Sequence, residues 1–286
     1  RSPYVNVAMI SFERTFLTNL LLSATYDYQR EYHRLRLRNL NAPYDATASF
    51  PRSCRPELSA ETCVRPDPGR GNVVNLEPSG NQLRHTLRLN FRQRFSIFNV
   101  SANYTGQMSH VEGQPNGGGE LPMDNYNLRL DFVGSRGNCC PPHTLNSTVN
   151  ARLPLGVFLT GTMSMTSQTY NITTGKDDNR DSTVNDRPPG IPRNSGDGPK
   201  TLNFNFNISK AFFFSPASPG NRRPTSTTRT NMNLFANMTN AFNRPNYALP
   251  SGVKTSPNFG KSTSAGNPRE FEVGLGMRYA EPSLAR

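Results

Sequence analysis

The chain has 286 residues, a formal charge of +12 and a hydrophobic fraction of 34%, with a mean hydropathy of −0.64. Values this polar fit either a soluble protein with a thin core or a barrel with a polar interior, and only periodicity separates the two. No run approaches the roughly 18 apolar residues of a spanning helix, which excludes a helical membrane protein. The 32 Lys and Arg residues are spread over many segments rather than gathered in one stripe, which argues against a nucleic-acid partner.

In chain order, Arg1-Ser2-Pro3 leads straight into a strand-like segment, 3–13, as though the chain were cut from something longer. Further strands are predicted near 18–36, 82–92, 95–107, 144–153, 156–169, 200–213, 229–241 and 268–279. The alternation is explicit in several of them. Leu83, Leu87, Leu89 and Phe91 oppose Arg84, Thr86, Arg88 and Asn90. Leu202, Phe204, Phe206 and Ile208 oppose Asn203, Asn205, Asn207 and Ser209. Phe271, Val273, Leu275, Met277 and Tyr279 oppose Glu270, Glu272, Gly274, Gly276 and Arg278. The apolar faces end in aromatics, among them Tyr26, Tyr28, Tyr32, Tyr104, Tyr170 and Phe212, as interfacial girdles would.

The connections also alternate. Short ones fall near 13–17, 92–95 and 153–156, with a medium one at 214–228; long ones fall at 37–80, 108–141, 170–199 and 242–267. That pattern predicts an all-β fold, an antiparallel up-and-down transmembrane β-barrel with periplasmic turns and extracellular loops. Counting back from Tyr279 as a periplasmic strand end places the long loops outside. A strand-like piece at Asn125–Ser135 would break this parity and is assigned to an excursion within an external loop. About nine spanning strands remain, so the barrel is partial: residues 1–279 form its C-terminal part and 280–286 a tail. A soluble secreted β-sandwich that binds a partner is the alternative that alternation alone leaves open.

Chemistry is sparse. The four His (His33, His85, His110, His143) stand in no hydrolase or zinc-protease motif, and the reading is that the chain is not an enzyme. The glycine-rich piece at 113–120 precedes no helix and reads as a loop tip. Six N-x-S/T sequons occur, at Asn99, Asn103, Asn146, Asn171, Asn207 and Asn237. Most lie within strands, where they read as part of a polar face rather than as glycosylation sites. Cys54 and Cys63, nine apart in a Pro-rich loop, are expected to form a disulfide; the adjacent Cys139 and Cys140 form either a vicinal disulfide or two thiols. In the long polar run 170–195, Asp177, Asn179 and Asp181 repeat hard oxygen ligands at every second position, and Asn185 and Asp186 could add more, so a Ca2+ site is one reading. Ser182 and Pro188 then depart from the EF-hand pattern. The plainer reading is a turn-rich loop of Asx-turns paired with Arg180, Arg187 and Arg193.

Several pieces together resemble the C-terminal barrel region of TonB-dependent receptors, most closely the Oar-like branch, whose members carry a carboxypeptidase-regulatory-like domain. They are RLRNLNAP (36–43), RPDPGRGNVVNLEPSGNQLRHTLRLNFRQRF (65–95), NARLPLG (150–156), YNITTGKDDNRDSTVNDRPPGIPRNS (170–195), NLFANMTNAFNRPNY (233–247) and SPNFGKSTSAGNPREFEVGLGMRY (256–279). Two departures stand out: NCCPPHTL replaces the branch's usual segment before the strand at 144, and AEPSLAR follows Tyr279. The resemblance implies a bacterial outer-membrane location and uptake of an external substrate. It implies contact with outer-membrane lipid and lipopolysaccharide, and with a plug domain and a TonB-type energy-coupling protein through regions absent from this chain. A non-transporting surface or adhesion barrel is the other function the same architecture would serve.

Overall fold

A computed structural model describes residues 2–16, 19–112, 121–132, 136, 141–214 and 230–278. Tyr279, the tail 280–286, Cys139, Cys140, the glycine-rich piece at 113–120 and most of the medium connection lie outside the described residues. Thirteen strands occur in chain order: β1 (Tyr4–Phe16), β2 (Leu20–Asn39), β3 (Tyr44–Asp45), β4 (Cys63–Val64), β5 (Val74–Arg94), β6 (Phe98–Val111), β7 (His143–Leu153), β8 (Val157–Thr166), β9 (Thr169–Tyr170), β10 (Gly196–Asp197), β11 (Thr201–Phe214), β12 (Thr230–Thr239) and β13 (Glu270–Arg278). Nine of them form one antiparallel sheet in the order β1-β2-β5-β6-β7-β8-β11-β12-β13, and the others form two small pairs, β3 with β4 and β9 with β10. Every strand of the large sheet pairs with its neighbour in sequence among the nine, an up-and-down meander.

Registers carry the apolar faces into one another. Directly opposed residues share a face, so one row can be followed across seven strands: Phe12, Ala24, Leu89, Tyr104, Leu145, Met165 and Leu202. A second row runs Val149, Gly161, Phe206, Met238 and Phe271. The opposite face has its own continuous row, Glu13, Ser23, Asn90, Asn103, Asn146, Ser164 and Asn203. The sequons at Asn103, Asn146, Asn207 and Asn237 sit on this polar face, where the Asn207 amide donates to Asn237 at 2.5 Å. The sheet is thus apolar on one side and lined with Asn, Ser and Thr on the other.

Several strand glycines are covered by aromatic rings. Phe235 of β12 lies over Gly274 of β13, and Phe206 of β11 over Gly161 of β8 at 3.3 Å from an added Cβ. Such rings replace the packing that a glycine in a strand lacks.

Short connections gather at one end. Pro154–Gly156 forms a 3-10 turn between β7 and β8, with Leu155 and Gly156 in the left-handed region. Phe95 stacks on Phe98 at the β5–β6 turn with centroids 4.2 Å apart. At the same end Arg14 lies over Phe16 and Lys210 over Phe212. Long connections gather at the other end. The described part of the piece expected at Asn125–Ser135, residues 125–132, is no spanning strand: Leu128–Asp131 is a 3-10 turn inside a long connection, with Asp131 drawn inward to accept hydrogen bonds.

The strands β2 and β5 reach well beyond their neighbours, and beyond the predicted 18–36 and 82–92. Their register shifts between Glu31 and Arg34 and again between Arg34 and Leu35, with His33 at a φ of 55°. Pro78, which has no N–H to give to a ladder, sits opposite Leu35 at this irregularity. The bulge changes the phase of both strands. Below it the polar face takes Asp27, Gln29 and Glu31; above it, Arg34 and Arg36, while Leu35 becomes exposed.

Candidate functional site

Above the bulge the polar face becomes a buried ladder of charge. Arg34 donates to Glu31 at 2.9 Å and also to Gln82. Arg36 donates through Nε to Ser79 at 2.8 Å, and its guanidinium lies 3.5 Å from Glu77 and 3.5 Å from Glu112. Asn81 adds a bond to Glu112 at 2.9 Å. The side chains of Arg34 and Arg36 are almost fully buried. Buried charges persist only when paired and hydrogen-bonded, and here each Arg faces an acid or amide from the neighbouring strand.

On this ladder rests a cap made of four long connections, 40–73, 121–132, 171–195 and 240–269. Its interior is polar. Asn39 donates its backbone N–H to Asn125 Oδ1 at 2.8 Å. Asn125 in turn donates its amide to Asp181 Oδ2 at 3.3 Å, and Asn72 donates to the Asp181 carbonyl at 2.7 Å. One buried triad, Asn39, Asn125 and Asp181, therefore ties the end of β2 to the second and third connections, and Asn72 adds the first. Around it, Asn179 donates to the Met123 carbonyl at 2.7 Å, Asn185 to the Leu121 carbonyl at 2.8 Å and Arg180 to the Leu58 carbonyl at 2.8 Å. Arg187 and Asp131 form an ion pair at 2.6 Å with both side chains buried.

The fourth connection locks onto the third. Thr173 N–H donates to the Gly252 carbonyl and Lys254 N–H to the Thr173 carbonyl, each at 2.9 Å. Gly252 lies so close to Asn171 that any Cβ would collide with the Asn171 carbonyl. Only glycine permits that approach.

The first connection carries two clasps of its own. Cys54 and Cys63 are joined in a disulfide with Cα atoms 5.8 Å apart. Asp45, whose side chain is fully buried, accepts from Thr47 Oγ1 at 2.5 Å and from Arg52 Nε and Nη2 at 2.8 and 2.6 Å. The Thr47 hydroxyl and then the Arg52 guanidinium hold its pKa down to about 2. Tyr126 reaches across from the second connection to donate to the Ala42 carbonyl at 2.7 Å, and burial raises its phenol above the ordinary value.

The residues weighed as calcium ligands are all brought into one loop, where backbone N–H groups engage Asp177, Asn179, Asp181 and Asp186 and a hydroxyl engages Asn185. Asp177 accepts from the N–H of Asp181 at 3.0 Å and of Ser182 at 2.9 Å. Asn179 Oδ1 accepts from Asp181 N–H at 3.0 Å. Asp181 accepts from Thr183 N–H at 2.9 Å, and Asp186 from Asp178 N–H at 2.6 Å. Asn185 Oδ1 accepts from the Thr183 hydroxyl at 3.1 Å. The Asn179–Asp181 and Asp181–Thr183 bonds are Asx-turns, and among the described residues no three His, Cys, Asp or Glu side chains form a group that could hold a metal ion. Of the paired arginines expected within the loop, Arg187 is paired with Asp131 of another connection, and Arg180 serves the Leu58 carbonyl. Burial pushes the carboxyl of Asp186 up to about 6 and raises Asp181 as well.

The charged ladder of Arg34, Arg36, Glu77 and Glu112 was not among the residues expected from the sequence. Its signal is present all the same: Arg34-Leu35-Arg36-Leu37 alternates in the opposite phase to Asp27-Tyr28-Gln29-Arg30-Glu31, which requires a bulge between them. The Asn39–Asn125–Asp181 triad leaves no comparable local trace.

No protein-family model matches the chain, and no curated protein is similar to it in sequence. Among solved structures it is similar to the outer membrane transporter YddB from Escherichia coli, with a TM-score of 0.59 and 11% identity, over 96% of this chain and 32% of that one. The chain thus spans about a third of the length of that transporter. At such low identity the likeness concerns the fold: the nine-stranded antiparallel sheet is that of an outer-membrane transporter barrel.

Proposed function

We propose that the chain is part of an outer-membrane β-barrel transporter of the TonB-dependent-receptor kind, Oar-like in branch, and that it is not an enzyme. The observation that carries the proposal is the apolar face, continuous in register across nine strands and backed by an equally continuous face of Asn, Ser and Thr. Ile10, Phe12, Ile208 and Val273 on the apolar face are 70%, 61%, 45% and 60% exposed. A patch of that extent has no place in water and suits hydrocarbon. The polar face then lines a lumen, and the cap of long connections stands outside the cell, where it meets an external substrate. Outer-leaflet lipid surrounds the band; a plug domain and a TonB-type energy-coupling protein complete the transporter.

At both sheet edges, β1 and β13 present backbone groups that pair with no other described strand. In hydrocarbon each unpaired group costs several kcal/mol, so in this reading both edges are closed by further strands.

Fractionation of cells that make the protein tests the proposal. It is expected in the outer-membrane fraction, extracted only by detergent, and migrating faster on gels before boiling than after. A protein that stays monodisperse in buffer without detergent would sink the barrel reading and favour a soluble β-sandwich. An outer-membrane protein that takes up no substrate when the upstream plug and TonB-contacting segment are present would favour an adhesion barrel.

A further inference from the structure

The polar face of the sheet has two unlike walls. On β1, β2 and β5 it is ionic and partly aliphatic. Arg84, Arg88 and Arg92 of β5 stand beside Asp27 and Glu31 of β2, and Val7 and Met9 of β1 oppose Gln29 and Asp27. From β6 to β12 the face is neutral. Across those five strands of the sheet, Arg152 is the one ionisable side chain on this face among the described residues. From β7 to β12 the described face holds no Val, Leu, Ile or Met either. Asn, Ser and Thr fill it down to the short-connection end, where aromatic rings take over.

Amides and rings occupy successive rows. Asn150, Thr160, Asn207 and Asn237 are mutually opposed in one row. Bonds run along it: Thr160 Oγ1 donates to Asn150 Oδ1 at 2.9 Å, the Asn207 amide to Asn237 Oδ1 at 2.5 Å, and the Asn237 amide to Glu272 of β13 at 3.0 Å. The next row toward the short connections is Arg152, Phe158, Ser209, Phe235 and Gly274. Arg152 lies over the Phe158 ring at 5.3 Å, and the Phe235 ring lies over Gly274. Then come Ala211, Asn233 and Gly276, and after them Phe213. Small side chains thus separate the rings. A Cβ added to Gly276 would meet nothing nearer than the Asn233 carbonyl at 4.0 Å. Phe158 and Phe213 are 43% and 64% exposed on this polar face.

Rings and amides on a neutral wall suit one chemistry. A sugar presents C–H groups on its faces and hydroxyls around its rim. The C–H groups rest on the electron-rich face of an aromatic ring, and the hydroxyls both donate to and accept from side-chain amides. A peptide would bring side chains that call for the aliphatic and charged partners of the other wall. We propose that the β7–β12 wall is the passage of the transported solute, and that the solute is a neutral oligosaccharide. One sugar ring rests on Phe158 and Phe235, its hydroxyls bonded to Asn207 and Asn233. The proposal rests on the transporter reading above and names its substrate class. Many weak, uncharged bonds along the rows let the sugar move on, since a path that conducts must also release.

Isothermal titration of the full-length, detergent-extracted protein tests it. Maltohexaose, cellohexaose and mannohexaose are the neutral probes; hexagalacturonate and a blocked hexaglycine are the charged and peptide counterparts. At least one neutral hexasaccharide is expected to bind, and neither counterpart. The double variant Phe158→Ala/Phe235→Ala is expected to weaken binding at least tenfold, and so is Asn207→Leu/Asn233→Leu. Arg88→Gln on the ionic wall is expected to leave it unchanged. Unchanged heat-dependent migration shows that each variant is folded. Wild-type affinity in both double variants overturns the proposal. So does equal binding of hexagalacturonate or the peptide, and so does equal weakening by Arg88→Gln, which would move the passage to the ionic wall. A protein that needs detergent yet binds no neutral hexasaccharide refutes the sugar passage and leaves the barrel standing, whereas one soluble without detergent removes both.

Discussion

The sheet and the cap invert the usual placement of apolar and polar residues in opposite ways. In the sheet the large apolar side chains are exposed, Ile10 and Phe12 among them, and gain nothing from one another's burial. In the cap the buried side chains are polar: among the described residues Asn39, Asn125, Asp45 and Asp181 are the largest that are fully buried, whereas the buried hydrophobic ones are Ala42, Cys54 and Val111. The sheet therefore takes its stability from backbone ladders and from whatever solvent its apolar face meets. The cap takes its stability from hydrogen bonds, from ion pairs such as Arg187–Asp131 and Arg52–Asp45, and from the Cys54–Cys63 disulfide, all of which operate in water. Two regions of one chain are matched to two solvents, and they should fail under different insults.

The comparison breaks most sharply at Arg187. Asp131→Ala leaves a buried guanidinium without its carboxylate, a loss of about 3–5 kcal/mol. Amide exchange should rise across 121–132 and 171–195 while the strands keep their protection; equal loosening of the strands would show that cap and sheet are one cooperative unit. Next is Ile208→Arg in the middle of the apolar band, expected to lower stability in a bilayer by about 2–4 kcal/mol. Asn207→Arg, one residue away on the polar face, should be far milder, and equal effects would reverse the assignment of faces. Third, Cys54→Ser with Cys63→Ser removes a short loop closure worth about 2–3 kcal/mol. Limited proteolysis should then cut within 50–63 and nowhere in the sheet.

The smallest effect is that of pH. The folded pKa of Asp186, about 6, lies above its ordinary 3.8, so the folded loop holds its proton more tightly than the unfolded one. The contribution is fully present below about pH 4 and is lost as pH rises through 6. Asp45 runs the other way: held at about 2, it stabilises its clasp above pH 4 and releases it only as pH falls toward 2. Exchange rates corrected for intrinsic chemistry should therefore rise across 177–186 between pH 4 and 7 while 45–52 stays flat. Asp186→Asn should abolish the trend, and persistence of the trend in that variant would rule out Asp186 as its source.

The legibility of the two regions differs for the same reason. A sheet with one apolar face writes itself into the chain at period two, so the nine strands, their order and the excursion at 125–135 could be read from residues such as Leu202 to Ser209. The Cys54–Cys63 bridge could be read because its partners are local. What escaped is either a phase change or a distant meeting. Leu35 and Leu37 fall out of phase with the apolar row of Ala24, Tyr26 and Tyr28, and only the bulge at His33 returns them to that face. Asn125 meets Asn39 and Asp181 from 86 and 56 residues away, and a single Asn carries no mark of its distant partners. The 177–186 loop stands between: its spacing of acids suits an ion and suits Asx-turns, and the backbone N–H groups that engage those side chains are not displayed by any side-chain pattern.

The close approach of Gly252 to Asn171 bears on how a protease would meet this surface. A peptide bond is cut by a protease only after its segment swings free of its neighbours. Here the third connection is pinned by the first, second and fourth at once, so freeing any one of them means breaking bonds to another. Loops without helix or broad sheet would ordinarily be the first places nicked. Woven in this way, they should resist digestion better than loops that stand apart.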